Sequence, residues 1–236
     1  MRLIFAYFLP LGVDEAYQIT IGKEFDWSYY DHPPLSFWLP RIAANIAGLE
    51  SILIYRLPSI IFGSITIYAL YGIGLQICGK ATALWSGLLY CISPFFFFSG
   101  GAFVLPDAML NASICMTLYL FLKSQDTKSY YNLKLIMVGF WLALSFLSKY
   151  HSILIPLALL VYFLTTKNRF YWIFQSRIWI VALVGSIGAL PVLMWNYYEG
   201  WPTFTFHSAR AHTEFSILNF VKMFFGQLIY FSPPAL

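Results

Sequence analysis

Three uncharged apolar runs restrict most strongly what this chain can fold into. They cover residues 57–79, 81–106 and 178–198. Each run is at least as long as the ~20 residues that an α-helix needs to cross ~30 Å of hydrocarbon. We therefore predict an all-α fold, that of a polytopic integral membrane protein.

Shorter apolar stretches, interrupted by single ionisable residues, also suit spanning helices. Together with the long runs they predict helices at 52–78, 81–99, 104–123, 134–148, 150–166, 178–198 and 215–236. Residues 1–11 supply about half a span, which we interpret as the outer half of a first helix. The prediction is therefore seven to eight transmembrane helices in one domain, 1–236. We expect the chain to be part of a larger protein, truncated at both ends.

Composition excludes one class of partner. The chain is 60% hydrophobic and only 10% charged, and its net charge of +4 comes from cations scattered at predicted helix ends. Because these cations form no basic block, we predict no nucleic-acid binding. The three cysteines lie within or at the ends of predicted spans without C-x-x-C spacing, so we expect packing roles and no disulfide.

The predicted helices divide the charged residues between two faces. Nine of the ten acids fall on one face, and most loop lysines and arginines fall on the other. The positive-inside rule puts the lysine-rich face in the cytoplasm. The acid-rich face is therefore predicted to be the outer face, opposite the cytoplasm.

Two charged residues on the outer face are not explained by ordinary polar loops. Asp107 stands at the mouth of an apolar helix, where desolvating a carboxylate is costly and a functional role is the default hypothesis. Lys149 lies in a turn so tight that two spans meet almost without a loop. It is either a snorkelling lysine or part of a site.

The first outer loop, 12–51, is long enough to carry structure of its own. Asp14 is predicted to cap a short interfacial helix over 14–23. Pro33 and Pro34 are predicted to start a second helix that continues to residue 48. A further outer loop, 199–214, carries His207, Arg210 and His212.

Polar groups from four outer segments form the candidate site. The first outer loop carries two pairs, Asp14 with Glu15 and Asp31 with His32. The other three segments contribute Asp107, Lys149 and the polar residues of the 199–214 loop. Groups that converge from separate loops are more typical of a site than of solvated surface.

Several motifs resemble those of a known family. They are PLGVDEAY, SYYDHPPL, YRLPS, SPFFFFSGGAFVLPDAML, LSFLSKYHSILI and PVLMWNYYEGWPTFTF, in family order along nearly the whole chain. The chain resembles the GT-C type glycosyltransferases that use polyprenyl-phosphate sugars. These belong to glycosyltransferase family 39, the protein O-mannosyltransferase-like group related to lipid A aminoarabinose transferases. The resemblance implies a polytopic enzyme of the bacterial inner membrane, with its active site facing the periplasm.

The resemblance also implies roles for carboxylates. Asp14 matches the family's presumed catalytic base, with Glu15 beside it as the second acid of the pair. Asp107 matches an aspartate near the acceptor.

On the donor side, the resemblance implies contacts to phosphate. Asp31 and His32 match groups near the donor phosphate, which in some members bind a divalent metal. Lys149 matches a phosphate-side lysine, and Arg210 is carried over to the same side. No cofactor is predicted firmly; Asp31, His32 and His207 are the candidate ligands for a metal.

The chemistry of sugar transfer fits these residues. A lipid-phosphate leaving group needs cations or a metal, and an attacking hydroxyl needs a base. The stretch DWSYYDHPPL is interpreted as the donor-side wall, with Trp27 and tyrosines that include Tyr30 lining a groove for the sugar lipid. An aromatic belt without a ligand is the alternative for this stretch.

The sequence therefore predicts a membrane glycosyltransferase. It would move a sugar from a polyprenyl-phosphate donor to a hydroxyl of a protein, lipid A or another glycan on the periplasmic face. Two alternatives remain: a polytopic transporter, which would need charges inside its helices, and an inactive truncated copy.

Overall fold

The computed structural model describes residues 1–126, 131–165, 174, 176–211 and 216–231. These residues are helical or irregular, and none of them lies in a strand. The helices are α1 (Arg2–Phe8), α2 (Val13–Ile21), α3 (Leu35–Ala47), α4 (Ile52–Cys78), α5 (Lys80–Ile92), α6 (Pro94–Phe98), α7 (Pro106–Asp126), α8 (Tyr131–Ser148), α9 (Leu154–Thr165), α10 (Ser176–Ile187), α11 (Leu190–Glu199), α12 (Pro202–Ala211) and α13 (Ile217–Phe231). A 3-10 turn, Tyr150–Ile153, precedes α9. The predicted all-α class is confirmed.

Helix α4 has the predicted bounds because both of its ends are marked in the sequence. The Ser51 hydroxyl accepts a hydrogen bond from the Ile54 amide at 3.3 Å, which caps the first turn. Gly79 ends the helix at φ +88°, a backbone conformation that favours glycine. At ~1.5 Å per residue, its 27 residues extend about 40 Å.

The predicted count of seven to eight spans is not confirmed. Within the described residues, α4 alone is a single helix long and apolar enough to cross a membrane. Residues 178–187 and 190–199 form a second span if the two bent halves, which meet at 44°, count as one. Helices 133–148 and 150–162 are apolar but shorter.

Proline positions explain two of the breaks. Predicted helix 81–99 is divided at Ser93, which adopts an extended conformation before Pro94. Predicted helix 178–198 is divided at residues 188–189, and Pro191 lies at the start of α11. Because proline lacks an amide hydrogen and its ring crowds the preceding turn, it starts a helix more readily than it continues one.

The bundle packs through close helix contacts on α4, α7, α8 and α10. Between α8 and α10 the contact depends on two glycines. A Cβ on Gly139 would lie 2.7 Å from Val184, and one on Gly185 would lie 2.6 Å from Leu142. Small residues at helix crossings are typical of membrane bundles, where backbones approach closely without a hydrophobic driving force.

The first outer loop carries two short helices, α2 and α3, close to the predicted positions. The predicted cap at Asp14 is wrong. Gly12 occupies the N-cap position of α2, and its amide donates to Glu15 Oε2 at 3.0 Å. Asp14 therefore lies inside the first helical turn, where its negative charge interacts favourably with the positive end of the helix dipole.

Candidate functional site

Four segments of the chain meet at one junction. They are the first outer loop, the irregular stretch before α7, the turn between α8 and α9, and the region from α11 to α12. The contacts that join them are Glu15 to the Val104 amide (2.9 Å), Lys149 to Asp107 (2.8 Å), Trp195 to Asp26 (2.7 Å) and His207 to the Asp31 carbonyl (3.3 Å). The structure thus brings together segments that the sequence analysis grouped into one site.

Lys149 and Asp107 form a partly buried ion pair. Lys149 Nζ donates to Asp107 Oδ1, and the two side chains are 25% and 23% exposed. Lys149 stands between α8 and the 3-10 turn in an extended conformation, so the predicted tight turn is present. An ammonium carries three hydrogens. One is used by Asp107, and two remain available for an anion.

Asp31 is the centre of a second polar group. Its Oδ1 accepts from the Tyr17 hydroxyl at 2.8 Å, and its Oδ2 lies 2.9 Å from His32 Nδ1. Desolvation by burial alone would raise the pKa of Asp31. The close contact with His32 and the hydrogen bond from Tyr17 outweigh it and hold the pKa below the usual value. Asp31 is therefore a carboxylate at neutral pH.

Two adjoining cavities lie at this junction. The first, called the polar mouth because charged and histidine side chains reach it, has a volume of about 290 Å³. It is lined by Asp31, His32, Lys149, Tyr150, His151, Ile153, Leu154 and His207. The apolar chamber has a volume of about 590 Å³, and its lining includes Phe146, Val192, Leu193 and Phe204. Tyr150, Ile153 and His207 line both cavities. A ligand with an anionic group and an apolar chain matches this combination.

The two carboxylates of the predicted catalytic pair have different surroundings. Asp14 is exposed, whereas Glu15 is only 1% exposed and ion-paired with Arg56. Neither residue lines the polar mouth or the apolar chamber. Their catalytic roles stay predictions, and the burial of Glu15 does not favour direct contact with a substrate.

The DWSYYDHPPL stretch is partly a packing element. Tyr29 is buried and stacks on Phe37 with ring centroids 4.0 Å apart. Trp27 and Tyr30 are exposed, and Tyr30 lies 4.9 Å from the Phe206 ring of α12. Because Tyr29 is buried, the predicted groove-lining role does not fit it. Trp27 and Tyr30 do not line the two cavities either, and for them the role stays a prediction.

The metal prediction gains no support from the geometry. Among residues 1–126, 131–165, 174, 176–211 and 216–231, no three His, Cys, Asp or Glu side chains converge as metal ligands would. Of the candidate ligands, His32 faces the Asp31 carboxylate, while His207 approaches the Asp31 carbonyl oxygen. The side chain of Arg210, and all of His212, lie outside the described residues.

Three residues at the junction were not assigned roles from the sequence. Arg56 is completely buried, Trp195 donates to Asp26, and Tyr150 lies between the two cavities. Arg56 could have been found from the sequence, because it is a charged residue near the start of an apolar helix. A charge in that place needs a buried partner. Trp195 and Tyr150 carried no signal beyond their place in the apolar runs, since aromatic residues are common there.

Comparison with known proteins identifies a family. The family described as dolichyl-phosphate-mannose-protein mannosyltransferase matches residues 31–195. The match contains Asp31, His32, Asp107 and Lys149 but not Asp14 or Glu15. The chain has no match among curated proteins and none among solved structures.

Proposed function

Since the chain belongs to the dolichyl-phosphate-mannose-protein mannosyltransferase family, which consists of membrane-embedded GT-C glycosyltransferases, we propose that it transfers a sugar from a polyprenyl-phosphate donor to an acceptor hydroxyl. The family membership favours this function over the transporter alternative. The acceptor would be a glycan, lipid or protein on the periplasmic side.

The observation that carries the proposal is the polar mouth next to the apolar chamber. A polyprenyl-phosphate sugar has an apolar chain, an anionic phosphate and a polar sugar in that order. The chamber would take the first isoprene units, and the mouth would take the phosphate. Tyr150 and His207, which line both cavities, would lie at the boundary between chain and phosphate.

Lys149 and His32 would bind the phosphate. Asp107 accepts one hydrogen bond from the Lys149 ammonium and so orients it. Asp31 faces Nδ1 of His32, so that Nε2 of the same ring is left for a ligand. Charges that are held in place before the reaction stabilise the departing phosphate without reorganisation at the moment of transfer. Departure of the phosphate breaks the bond between the sugar anomeric carbon and the phosphate oxygen.

Asp14 would accept the proton of the attacking acceptor hydroxyl as the new glycosidic bond forms. Its exposure leaves room for an acceptor, and a positioned base typically contributes ~10²- to 10⁴-fold in rate. A single displacement of this kind inverts the configuration at the anomeric carbon.

Transfer of label from a radiolabelled polyprenyl-phosphate sugar tests the proposal. The protein in bacterial membranes should release labelled product into an acceptor fraction, and Lys149→Ala should reduce release. Lys80→Ala, an exposed lysine at the start of α5, is the matched control and should have no effect. Equal loss in both lysine variants would contradict the phosphate site, and absence of transfer by the wild type would contradict the function.

A further inference from the structure

Glu15 uses its whole carboxylate for internal contacts. Oε1 accepts from Arg56 Nε at 2.8 Å and from the Val104 amide at 2.9 Å. Oε2 accepts from Arg56 Nη2 at 2.5 Å and from the Gly12 amide at 3.0 Å. A carboxylate offers about four lone-pair sites, so Glu15 has none left for an acceptor hydroxyl.

Arg56 extends this network to the end of α1. It is completely buried, and its remaining guanidinium hydrogens go to three backbone carbonyls, those of Ala6, Leu9 and Pro10. The guanidinium also lies 5.0 Å from the centre of the Phe103 ring. One ion pair therefore joins the end of α1, the start of α2, the first part of α4 and residues 103–104.

We propose that Glu15 and Arg56 are positioning residues, which hold Asp14 and the segment leading to Asp107 in a fixed relation. Glu15 follows Asp14 within the first turn of α2, so its contacts fix the backbone that carries Asp14. Val104 precedes Asp107 by three residues, so the Val104 contact fixes the approach to α7. This inference rests on the proposed function, in which Asp14 is the base and Asp107 holds the donor-side lysine.

Loss of the positioning contacts should affect the rate, because catalysis is sensitive to the position of the reacting groups. A misplacement of about 1 Å in a reacting group can cost ~10²-fold in rate. The proposed phosphate site is the polar mouth, which neither Glu15 nor Arg56 lines. The variants keep both members of the ion pair between Lys149 and Asp107, whereas Asp14 loses the contacts that fix its own turn of α2. Loss of the network should therefore lower kcat much more than it raises the donor KM.

Glu15→Gln and Arg56→Lys test the proposal beside Asp14→Asn. In the two positioning variants we expect kcat to fall ~10- to 100-fold with a donor KM within about twofold of the wild type. In Asp14→Asn, kcat should fall by at least ~100-fold. A Glu15→Gln enzyme that loses as much kcat as Asp14→Asn while Arg56→Lys keeps the wild-type kcat would mean that Glu15 is itself the base. Unchanged kcat in both positioning variants would mean that the network is merely structural.

Hydrogen exchange supplies a readout that does not depend on transfer. Glu15→Gln should speed exchange of the Val104 amide in the 99–105 peptide, since the amide loses its charged acceptor. Glu50→Gln is the matched control, because Glu50 is exposed and pairs with Lys23 and Arg41 on the surface. Unchanged exchange at Val104 would overturn the proposal, whereas a wild type without transfer would count against the proposed function alone.

A double variant keeps the proposal testable if the single variants fold poorly. Glu15→Gln leaves Arg56 as a buried charge without a charged partner, which is strongly destabilising. Glu15→Gln with Arg56→Gln removes both charges. If the double variant accumulates to wild-type levels and recovers wild-type kcat, the positioning role is excluded; if it accumulates and kcat stays low, the role is supported.

Discussion

Lys149 and Asp107 are joined by an ion pair of 2.8 Å between residues that lie 42 positions apart in the chain. The pair connects the turn after α8 to the first turn of α7, and Lys149 also lines the polar mouth. Asp107 therefore fixes the direction of a cation that remains available to a ligand.

Lys149→Ala is expected to weaken donor binding by roughly 10- to 100-fold. A hydrogen bond to a charged group contributes about 1.5–3 kcal/mol, and ~1.4 kcal/mol corresponds to tenfold in affinity. Lys149→Arg should retain part of the binding because it keeps the charge. The measurement is equilibrium binding of a labelled polyprenyl phosphate, and unchanged affinity in Lys149→Ala would remove the lysine from the donor site.

Asp14→Asn is expected to lower transfer by at least ~100-fold while donor affinity stays near the wild-type value. Asparagine preserves the size of the side chain and removes the base. The control is Glu24→Gln, which removes an exposed carboxylate from the same outer loop. Normal turnover in Asp14→Asn would exclude Asp14 as the base.

Part of the fold follows from local sequence signals. Ser51 and Gly79 mark the ends of α4, and the tight turn at Lys149 was visible as two apolar runs in direct succession. Local signals were misinterpreted where two residues competed for one role. Asp14 is a good N-cap residue by type, but the Gly12 amide is capped by the Glu15 side chain, which places the helix start two residues earlier.

Some residues of the junction could be picked out from the sequence, whereas their contacts could not. Charged residues at the ends of apolar helices identified Asp107 and Lys149 because such charges are costly without a role. No local pattern pairs Glu15 with Arg56, which lie 41 positions apart. The partner of a buried charge is set by the tertiary packing. For the same reason the sequence does not distinguish Asp14 from Glu15, two adjacent acids of which the first is exposed and the second is buried.

The pH dependence of stability should reveal the Asp31 contacts. Because the pKa of Asp31 is lowered below its usual 3.8, its contribution is present above that pH and is lost as the pH falls through the lower, folded-state value. At pH 7, Asp31→Asn should lower Tm by no more than about 4 °C, since partly exposed contacts of a carboxylate contribute ~0–1 kcal/mol. The melting temperatures of wild type and variant should converge as the pH falls below 3.8 and through the folded-state value. A Tm difference that grows on acidification would contradict the assignment.

Labelling with an impermeant maleimide should establish which side the site faces. In a variant with Lys23→Cys, the exposed cysteine on the first outer loop should react in intact cells whose outer membrane has been made permeable. The native Cys78, exposed at the far end of α4, should react only after the inner membrane is opened. Lys23→Cys combined with Cys78→Ser separates the two signals. The reverse pattern would place the site in the cytoplasm.

Leu193→Trp should show whether the apolar chamber binds the lipid chain of the donor or is only a gap in the packing of the helices. Leu193 lines the chamber and is 45% exposed, so a larger side chain can narrow the chamber without overpacking a closed core. We expect the KM for a long-chain polyprenyl donor to rise about tenfold, corresponding to the loss of ~1.4 kcal/mol of apolar contact. A donor with a chain of one or two isoprene units should be much less affected, because it occupies less of the chamber. Leu183→Trp is the control, since Leu183 is 69% exposed and does not line the chamber. If both donors lose affinity equally in Leu193→Trp, or if Leu183→Trp behaves in the same way, the chamber does not hold the isoprenoid chain.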